Sequence, residues 1–419
     1  MDVTVSPAFR GHALAEEAAE LMRACVQCGY CTETCPTWRL TGVEWDGPRG
    51  RIQLVKELVE GTPASADPRY HLDRCLTCRS CETTCPQKVR YGRILDIGRE
   101  LVERRTPRPR RERWMRAALR AVVPRRRRFA ALLGLGRLAR PVLPAALRAR
   151  VPPAAKAGPW PDRAHARAML VWRGCVQPSL APDIDAAAAR VLDRFGIRLI
   201  AARTGCCGAL SHHLAQPDAA RAQMRDNIDA IWREVEAGAE AIVMTASGCG
   251  AHVRDYGELL RDDPRYAERA RRLSAMTRDL SEVVAAEWQE GSFVVAPPAP
   301  ASPGARPQPR RIAVQSPCSL QHGQKLAGVV ERLLRRAGFK LVPVAYPFMC
   351  CGSAGTCSIL QPEIAQALRT QKLEALTATR PTAIATANIG CLHHLAETSP
   401  VPVRHWIELI DEVLPPAAK

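Results

Sequence analysis

The segment CVQCGYCTETCP, residues 25–36, decides how the amino-terminal part of this 419-residue chain folds. Its cysteines follow the spacing C-x2-C-x2-C-x3-C-P, and CLTCRSCETTCP at residues 75–86 repeats it. Three thiolates at three-residue intervals surround one corner of a 4Fe-4S cluster, while the fourth, just before proline, turns toward a neighbouring cluster. The two runs therefore predict two 4Fe-4S clusters that exchange one ligand.

This exchange predicts two sets of four ligands. The first set is Cys25, Cys28, Cys31 and Cys85, and the second is Cys35, Cys75, Cys78 and Cys81. Structural zinc is the alternative, because paired C-x2-C motifs also bind zinc, although a zinc site needs no trailing proline. Between the runs, the turn and amphipathic pattern of WDGPRGRIQLVKELVEG, residues 45–61, predict a helical ferredoxin-type domain over residues 1–105.

The rest of the chain contains an internal duplication. A shift of 142 to 144 positions carries Cys175 onto Cys318, Cys207 onto Cys351 and Cys249 onto Cys391. In each half an apolar run precedes the first cysteine, a helical pattern follows, and a second apolar run leads to Cys-Cys-Gly. A further helix and strand bring in the last cysteine, which predicts a small parallel α/β domain. We place these domains at residues 164–292 and 311–419, with a Pro/Ala-rich linker at 293–310.

The cysteines that match between the halves all fall in loops after predicted strands, at the sheet edge where ligands usually bind. These thiols are Cys175, Cys206, Cys207 and Cys249 in the first half and Cys318, Cys350, Cys351 and Cys391 in the second. They are candidates for a further metal or cluster site, for a redox-active dithiol, or for buried structural roles. Cys357 lies outside this register and is interpreted as an ordinary buried or free thiol.

Several histidines lie near these loops, and they could ligate a metal or relay a proton, although a histidine in a polar loop is more often only solvated. They are His212, His213, His252, His322, His393 and His394. We assign no function to any of them from the sequence.

Residues 106–163 form a predicted connector rich in arginine. Residues 101–150 contain 16 Arg, no Lys and two acidic residues, which accounts for most of the formal charge of +18. Arginines interleaved with Leu, Val, Trp114 and Phe129 suit the surface of an anionic membrane. A solvated linker, or a face that docks acidic partner subunits, is the alternative. Nucleic acid is not an expected partner, because aromatic residues are few and no nucleic-acid-binding motif occurs.

The composition predicts the cellular setting. The first 25 residues lack the basic head and apolar run of an export signal, so 17 cysteines favour metal or redox chemistry over disulfides. No uncharged apolar run reaches the roughly 20 residues of a membrane-spanning helix. We expect a cytoplasmic protein, with any membrane contact peripheral and on the cytoplasmic face of the inner membrane.

The two runs, together with DGPRGRI, HLDRCLTC and TANIGC, make the chain resemble the family of glycolate oxidase iron-sulfur subunits. The resemblance implies an electron-transfer subunit that receives electrons from a separate flavoprotein subunit and passes them toward quinone or another acceptor. No FAD or nicotinamide fingerprint occurs, since GLGRLA at residues 134–139 follows no strand. Glycolate oxidation therefore belongs to another chain, and no catalytic residue is predicted here.

Two alternatives stay open. Related iron-sulfur subunits serve lactate, glycerol 3-phosphate or heterodisulfide, and a non-catalytic, redox-responsive binding protein would belong to another class. In the heterodisulfide reductase relatives, each Cys-Cys-Gly repeat closes with C-x2-C. This chain has Ala246 and Asn388 in place of the first cysteine of that pair, so each repeat keeps four matched thiols.

Overall fold

The computed structural model of the chain describes residues 1–288 and 310–415. Nearly all of the predicted linker at 293–310 lies outside the described residues. The architecture is a helical amino-terminal domain, an arginine-rich helical connector and two α/β repeats. It confirms the mixed helical and α/β fold class that the sequence predicts.

Seven α-helices form the amino-terminal domain. They are α1 (Ala13–Arg23), α2 (Tyr30–Glu33), α3 (Pro36–Thr41), α4 (Pro48–Glu60), α5 (Pro68–Asp73), α6 (Ser80–Thr84) and α7 (Tyr91–Arg105). Three of them begin at a proline, whose fixed φ suits the first helical position. Helices α1, α4 and α7 pack around a buried apolar core that includes Met22, Val55 and Leu101. At the crossing of α4 and α7, Gly98 allows the close approach, since a Cβ there would lie 2.5 Å from Val55 Cγ2.

The connector forms three further helices, which are α8 (Arg110–Val122), α9 (Arg126–Ala139) and α10 (Ala145–Arg150). In α8 only Arg116 is buried, and α9 buries no residue. The connector therefore lies on the surface of the molecule.

The first repeat is a four-stranded parallel sheet with strand order β2-β1-β3-β4. Its strands are β1 (Arg167–Val171), β2 (Ile197–Ala201), β3 (Ile242–Met244) and β4 (Thr277–Asp279). Its helices are α11 (Gln177–Leu180), α12 (Asp183–Arg194), α13 (Ala209–His213), α14 (Pro217–Glu236), α15 (Ser247–Arg254), α16 (Tyr256–Leu259), α17 (Ala267–Met276) and α18 (Leu280–Glu287).

The second repeat has the same topology, with strand order β6-β5-β7-β8 and every pair parallel. Its strands are β5 (Arg311–Gln315), β6 (Lys340–Val342), β7 (Ala383–Thr386) and β8 (Val403–His405). Its helices are α19 (Val329–Arg336), α20 (Cys357–Leu360), α21 (Pro362–Thr377), α22 (Ile389–Ala396) and α23 (Trp406–Val413), with a π-helical turn at Ser319–Gly323. The shared strand order confirms the predicted duplication.

The two repeats share one apolar core. Buried side chains of the first repeat, such as Ile184 and Val283, belong to the same cluster as Leu333 and Ile407 of the second. Helix α12 packs against α23, and α18 packs against α19. The repeats are therefore fixed relative to one another, and this sets the positions of their cysteine loops.

Candidate metal centres

Four cysteines line a cavity at one end of the amino-terminal domain. Cys25 follows α1, Cys28 and Cys31 lie at α2, and Cys85 comes from the end of α6. The cavity encloses about 460 Å³ of empty space, part of it open to solvent, and Cys81 also contributes to its lining. Three thiols of the first run and the last thiol of the second thus face one space.

A second cavity lies beside the first. Cys35, the residue before α3, meets Cys75, Cys78 and Cys81 of the other run around about 290 Å³ of empty space. The Tyr91 hydroxyl donates a hydrogen bond to Cys75 Sγ at 3.6 Å. Each cavity thus contains three cysteines of one run and the last cysteine of the other, as the sequence assignment requires. The division of ligands stays a prediction, because Cys81 borders both cavities.

The donor set of these cavities fits iron-sulfur clusters. Four cysteine thiols in each cavity supply the ligand set of a 4Fe-4S cluster. Burial raises the pKa of Cys31 to about 11 and also raises the pKa of Cys78 and Cys81. Metal binding at these thiols must therefore release protons.

A network of buried charges supports the second cavity. Asp46 is fully buried, and its Oδ1 lies 2.9 Å from His71 Nδ1. Arg51 is 1% exposed, donates from Nε to the His71 carbonyl at 2.8 Å, and donates from Nη1 to Thr37 Oγ1 at 3.2 Å. Thr37 in turn donates to the Asp46 carbonyl at 2.7 Å. Asp46 and Arg51 lie in the motif DGPRGRI and His71 lies in HLDRCLTC, but neither motif alone indicates that the three side chains meet.

In the first repeat the four matched thiols form a continuous series of contacts. Cys175 contacts Cys206, Cys206 contacts Cys207, and Cys207 contacts Cys249. Each lies in a loop or helix start that follows β1, β2 or β3, at the same edge of the sheet.

The second repeat forms the same series. Cys318 contacts Cys350, Cys350 contacts Cys351, and Cys351 contacts Cys391. Both repeats therefore bring together the four thiols that the sequence register matches. Cys357 is not a member of this series but is buried, as predicted, in the same apolar cluster as Cys350, and burial raises its pKa to about 12.

The two positions that lack the expected cysteine lie where the repeats meet. Asn388 Oδ1 accepts a hydrogen bond from the Gly248 amide at 3.1 Å, and its Nδ2 lies 3.6 Å from Cys391 Sγ. Ala246 is buried in the core that the repeats share. Beside it, the Ser247 amide donates to the Ala387 carbonyl at 3.2 Å. Asn388 and Ala246 thus connect the repeats.

The second repeat contacts the amino-terminal domain through its thiols. Cys350 and Cys357 belong to a buried apolar cluster that also contains Leu76, and Cys78 and Cys318 pack against this cluster. The pKa of Cys78, raised mainly by burial, is raised further by the neighbouring Cys318. A cysteine of the second cavity and the first cysteine of this repeat are therefore close neighbours.

The histidines are more enclosed than expected. His252 and His394 are buried, and burial lowers the pKa of both, so the expectation of solvated rings is wrong for them. His212 Nε2 lies 3.0 Å from Asp96 Oδ2 on α7, and the His212 ring packs edge-on against His213 and at a tilt against His252. These rings form part of the contact between the first repeat and the amino-terminal domain.

Two family models match the chain. Residues 21–89 match a 4Fe-4S dicluster domain, and residues 169–254 and 312–396 each match a cysteine-rich domain. The chain is thus an iron-sulfur protein that joins a dicluster domain to tandem cysteine-rich domains.

Two named relatives show which family within this class the chain belongs to. The chain is 47% identical over 416 residues to the glycolate oxidase iron-sulfur subunit of Escherichia coli (strain K12), covering 99% of both chains. It is 29% identical to the probable glycolate oxidase iron-sulfur subunit of Bacillus subtilis (strain 168), covering 88% of this chain and 87% of the other. The chain belongs to the family of glycolate oxidase iron-sulfur subunits, which are parts of multisubunit complexes.

The lactate alternative has weaker support. Lactate utilization protein A of Bacillus licheniformis is 24% identical over only 57% of this chain, although the match covers 96% of that protein.

Among the described residues, no helix combines the length and the apolar character needed to cross a membrane.

Proposed function

We propose that this chain conducts electrons within a glycolate oxidase complex, from a separate flavoprotein subunit toward quinone or another acceptor. The observation that carries the proposal is the pair of adjoining four-thiol cavities, the second of which borders the thiols of the second repeat. When bound, 4Fe-4S clusters supply one-electron carriers at these positions. The chain's own residues hold the carriers side by side.

We propose a separate role for each group of thiols. Cys25, Cys28, Cys31 and Cys85 would hold the outer cluster, and Cys35, Cys75, Cys78 and Cys81 would hold the inner one. Burial by Ile52 and Val89 at the outer cavity, and by Leu76 at the inner one, limits the access of water. Tyr91 and Thr37 position the Cys75 and Cys35 sulfur atoms.

We also propose that the repeats carry the exit. In each repeat, four thiols in contact with one another have the donor set for a further cluster or another metal. The second repeat is the better placed of the two, because Cys318 and Cys350 lie next to Cys78 of the inner cavity. A dithiol that cycles with a disulfide is the other use of such a series.

For the connector we propose peripheral contact with an anionic membrane, which would place the protein on the cytoplasmic face of the inner membrane. Leu135 and Leu138 of α9 and Val142 are 62%, 79% and 84% exposed. Arg127 and Arg128 are exposed on the same segment. An apolar face beside exposed arginines is the pattern of a helix that lies in the membrane interface.

Not every arginine of the connector is free for such contact. Arg108 and Arg116 are buried and both form ion pairs with Asp73. Arg126 donates to the carbonyls of Gly174 at 3.1 Å and Thr204 at 2.9 Å, next to the cysteine loops of the first repeat. The interpretation of the connector as a wholly solvated linker is therefore wrong for these three residues.

We also propose that the chain divides into domains and linkers at residues 1–105, 106–163, 164–292, 293–310 and 311–419.

The experiment that tests this function separates flavin chemistry from electron export. A complex assembled without this chain should still reduce its flavin with glycolate but should fail to reduce quinone. Adding back the purified chain with its iron intact should restore quinone reduction, and adding back chain treated with a chelator should not. Quinone reduction that persists without the chain would refute the proposal, as would partner binding that depends on oxidation state without any turnover.

A further inference from the structure

The inner and outer cavities have different electrostatic surroundings. Arg49 is the arginine in the lining of the outer cavity, and its side chain is 43% exposed and paired with Glu44 at 2.7 Å. Arg51 and Arg79 both line the inner cavity. Arg51 is 1% exposed, so its charge acts through protein rather than through water.

The charge of Arg51 is only partly neutralised. Its Nη2 lies 3.7 Å from Asp46 Oδ1 and makes no hydrogen bond to a described residue. The single negative charge of Asp46 does not neutralise Arg51 alone, because Arg74 Nη1 lies 3.5 Å from Oδ2 and His71 contacts Oδ1. Two guanidinium groups thus share one carboxylate, and a net positive charge remains beside the inner cavity.

The guanidinium is also held in place and kept charged. Its hydrogen bonds to the His71 carbonyl and to Thr37 fix its plane between α3, α4 and α5. Burial opposes the charge, yet the sulfur atoms of Cys75 and Cys35, together with Asp46, keep the pKa of Arg51 above its usual value. Arg51 is therefore a permanent buried cation in the wall of a four-thiol site.

We propose that Arg51 raises the reduction potential of the inner cluster and thereby directs electrons from the outer cavity to the inner one. The proposal rests on the electron-transfer function proposed above. The reduced state of a thiolate-bound cluster carries one more negative charge than the oxidised state, so a fixed nearby cation stabilises the reduced state. One electron leaves the outer centre and one arrives at the inner centre, and no proton moves and no bond is broken.

A redox titration of the anaerobically purified full chain, monitored by EPR, tests the proposal. In Arg51→Gln the inner potential should fall by at least 59 mV, which corresponds to a tenfold change in the equilibrium constant of a one-electron couple. The outer potential should move by much less. Cys31→Ser and Cys78→Ser identify which signal belongs to which cluster.

Two matched variants serve as controls for charge and position. Arg51→Lys keeps the positive charge and should lower the inner potential by less than Arg51→Gln does. Arg49→Gln removes an exposed, paired arginine at the outer cavity and should leave both potentials within 59 mV of their starting values. Equal falls of both potentials in Arg51→Gln would indicate general damage and overturn the proposal.

A second variant, for which we expect a shift of the inner potential in the opposite direction, keeps the proposal testable if Arg51→Gln does not fold. Asp46→Asn keeps an oxygen that can accept from His71 but removes the negative charge, so the inner potential should rise. If Arg51→Gln loses its iron, the result with Asp46→Asn decides alone. An inner potential that does not rise in Asp46→Asn with full iron content would overturn the proposal, whether or not the complex still reduces quinone.

Discussion

At the scale of single residues, the glycine of each Cys-Cys-Gly motif meets a steric requirement. Gly208 and Gly352 have φ values of +94° and +89°, which favour glycine. A Cβ on Gly352 would lie 2.4 Å from the Ala365 carbonyl oxygen, and one on Gly208 would lie 3.2 Å from that of Ala220. The glycine thus lets the cysteine pair lie directly against α14 in the first repeat and against α21 in the second.

The variant Gly352→Ala should therefore destabilise the second repeat strongly. Left-handed backbone costs an alanine about 1–2 kcal/mol, and the clash with a fixed carbonyl adds about 1–3 kcal/mol. Gly355→Ala is the matched control, because Gly355 has a φ of +61° but nothing within 4 Å of a Cβ. Urea unfolding should show a clearly larger loss for Gly352→Ala. Equal losses would mean that only the backbone angle matters.

At the scale of elements, two helical glycines should respond to alanine in opposite directions. Gly98→Ala places a methyl group 2.5 Å from Val55 Cγ2, so α4 and α7 must separate, at a cost of about 1–3 kcal/mol. Gly134 in α9 has nothing within 4 Å, and alanine there should stabilise the helix by about 0.5–1 kcal/mol. Thermal unfolding of the two variants, measured side by side, checks the signs. Destabilisation by Gly134→Ala would imply a contact on that face.

The exposed face of α9 should bind anionic lipid. The double variant Leu135→Asp, Leu138→Asp removes apolar contact and adds two negative charges. We therefore expect at least tenfold weaker binding to vesicles that contain anionic lipid, measured by co-sedimentation. Ile359→Asp is the control, because Ile359 is also half exposed but lies on the second repeat. Binding that is equally strong to vesicles of neutral lipid, or unchanged in the double variant, would contradict the membrane role.

The elements that the sequence could predict are those with long apolar patterns. The strands before the cysteine loops and the helix α14 follow directly from such patterns. Strands β4 and β8 were missed, because their sequences, TRD and VRH, contain no apolar run, whereas the equally short β3 and β6 read IVM and KLV. Both are fixed by pairing with β3 or β7 and by a capping box at the helix that follows. Tertiary context, not local pattern, produces them.

At the scale of the whole molecule, the local spacing of cysteines predicted groups of thiols within each domain. It did not predict which group of one domain contacts which group of another. Three thiols of each predicted set come from one run with three-residue spacing, so their proximity could be predicted from the sequence, and the crossed fourth ligand stays a prediction. The contact between Cys78 and Cys318 joins residues 240 positions apart in the chain, and no local pattern encodes it. The same holds for Arg126, which reaches the loops of the first repeat. Buried charges such as Arg51 were hidden, since a polar residue in an amphipathic helix normally predicts exposure.

The two-part core predicts a selective response to iron removal. The buried cluster of the amino-terminal domain is separate from the core that the repeats share. The segments that contain the short helices α2 and α6 carry all eight thiols of the two cavities, so they should lose structure when the metal is removed. Hydrogen exchange after treatment with a chelator and reductant should become fast at residues 25–36 and 75–86 and stay slow in β1, β3, β5 and β7. Loss of protection in both regions at once would indicate a single cooperative unit.

Iron content decides whether the repeats hold clusters. If they do, the anaerobically purified chain contains more than about eight irons, and both Cys207→Ala and Cys351→Ala lower that number. Cys357→Ala is the matched control, because this thiol is buried nearby but stands outside the series of contacts. Since Cys350 and Cys318 border Cys78, Cys351→Ala should also change the EPR relaxation of the inner cluster, whereas Cys207→Ala should not. About eight irons in all four proteins would leave the repeats with a dithiol or structural role and would place the exit of electrons at the inner cluster itself.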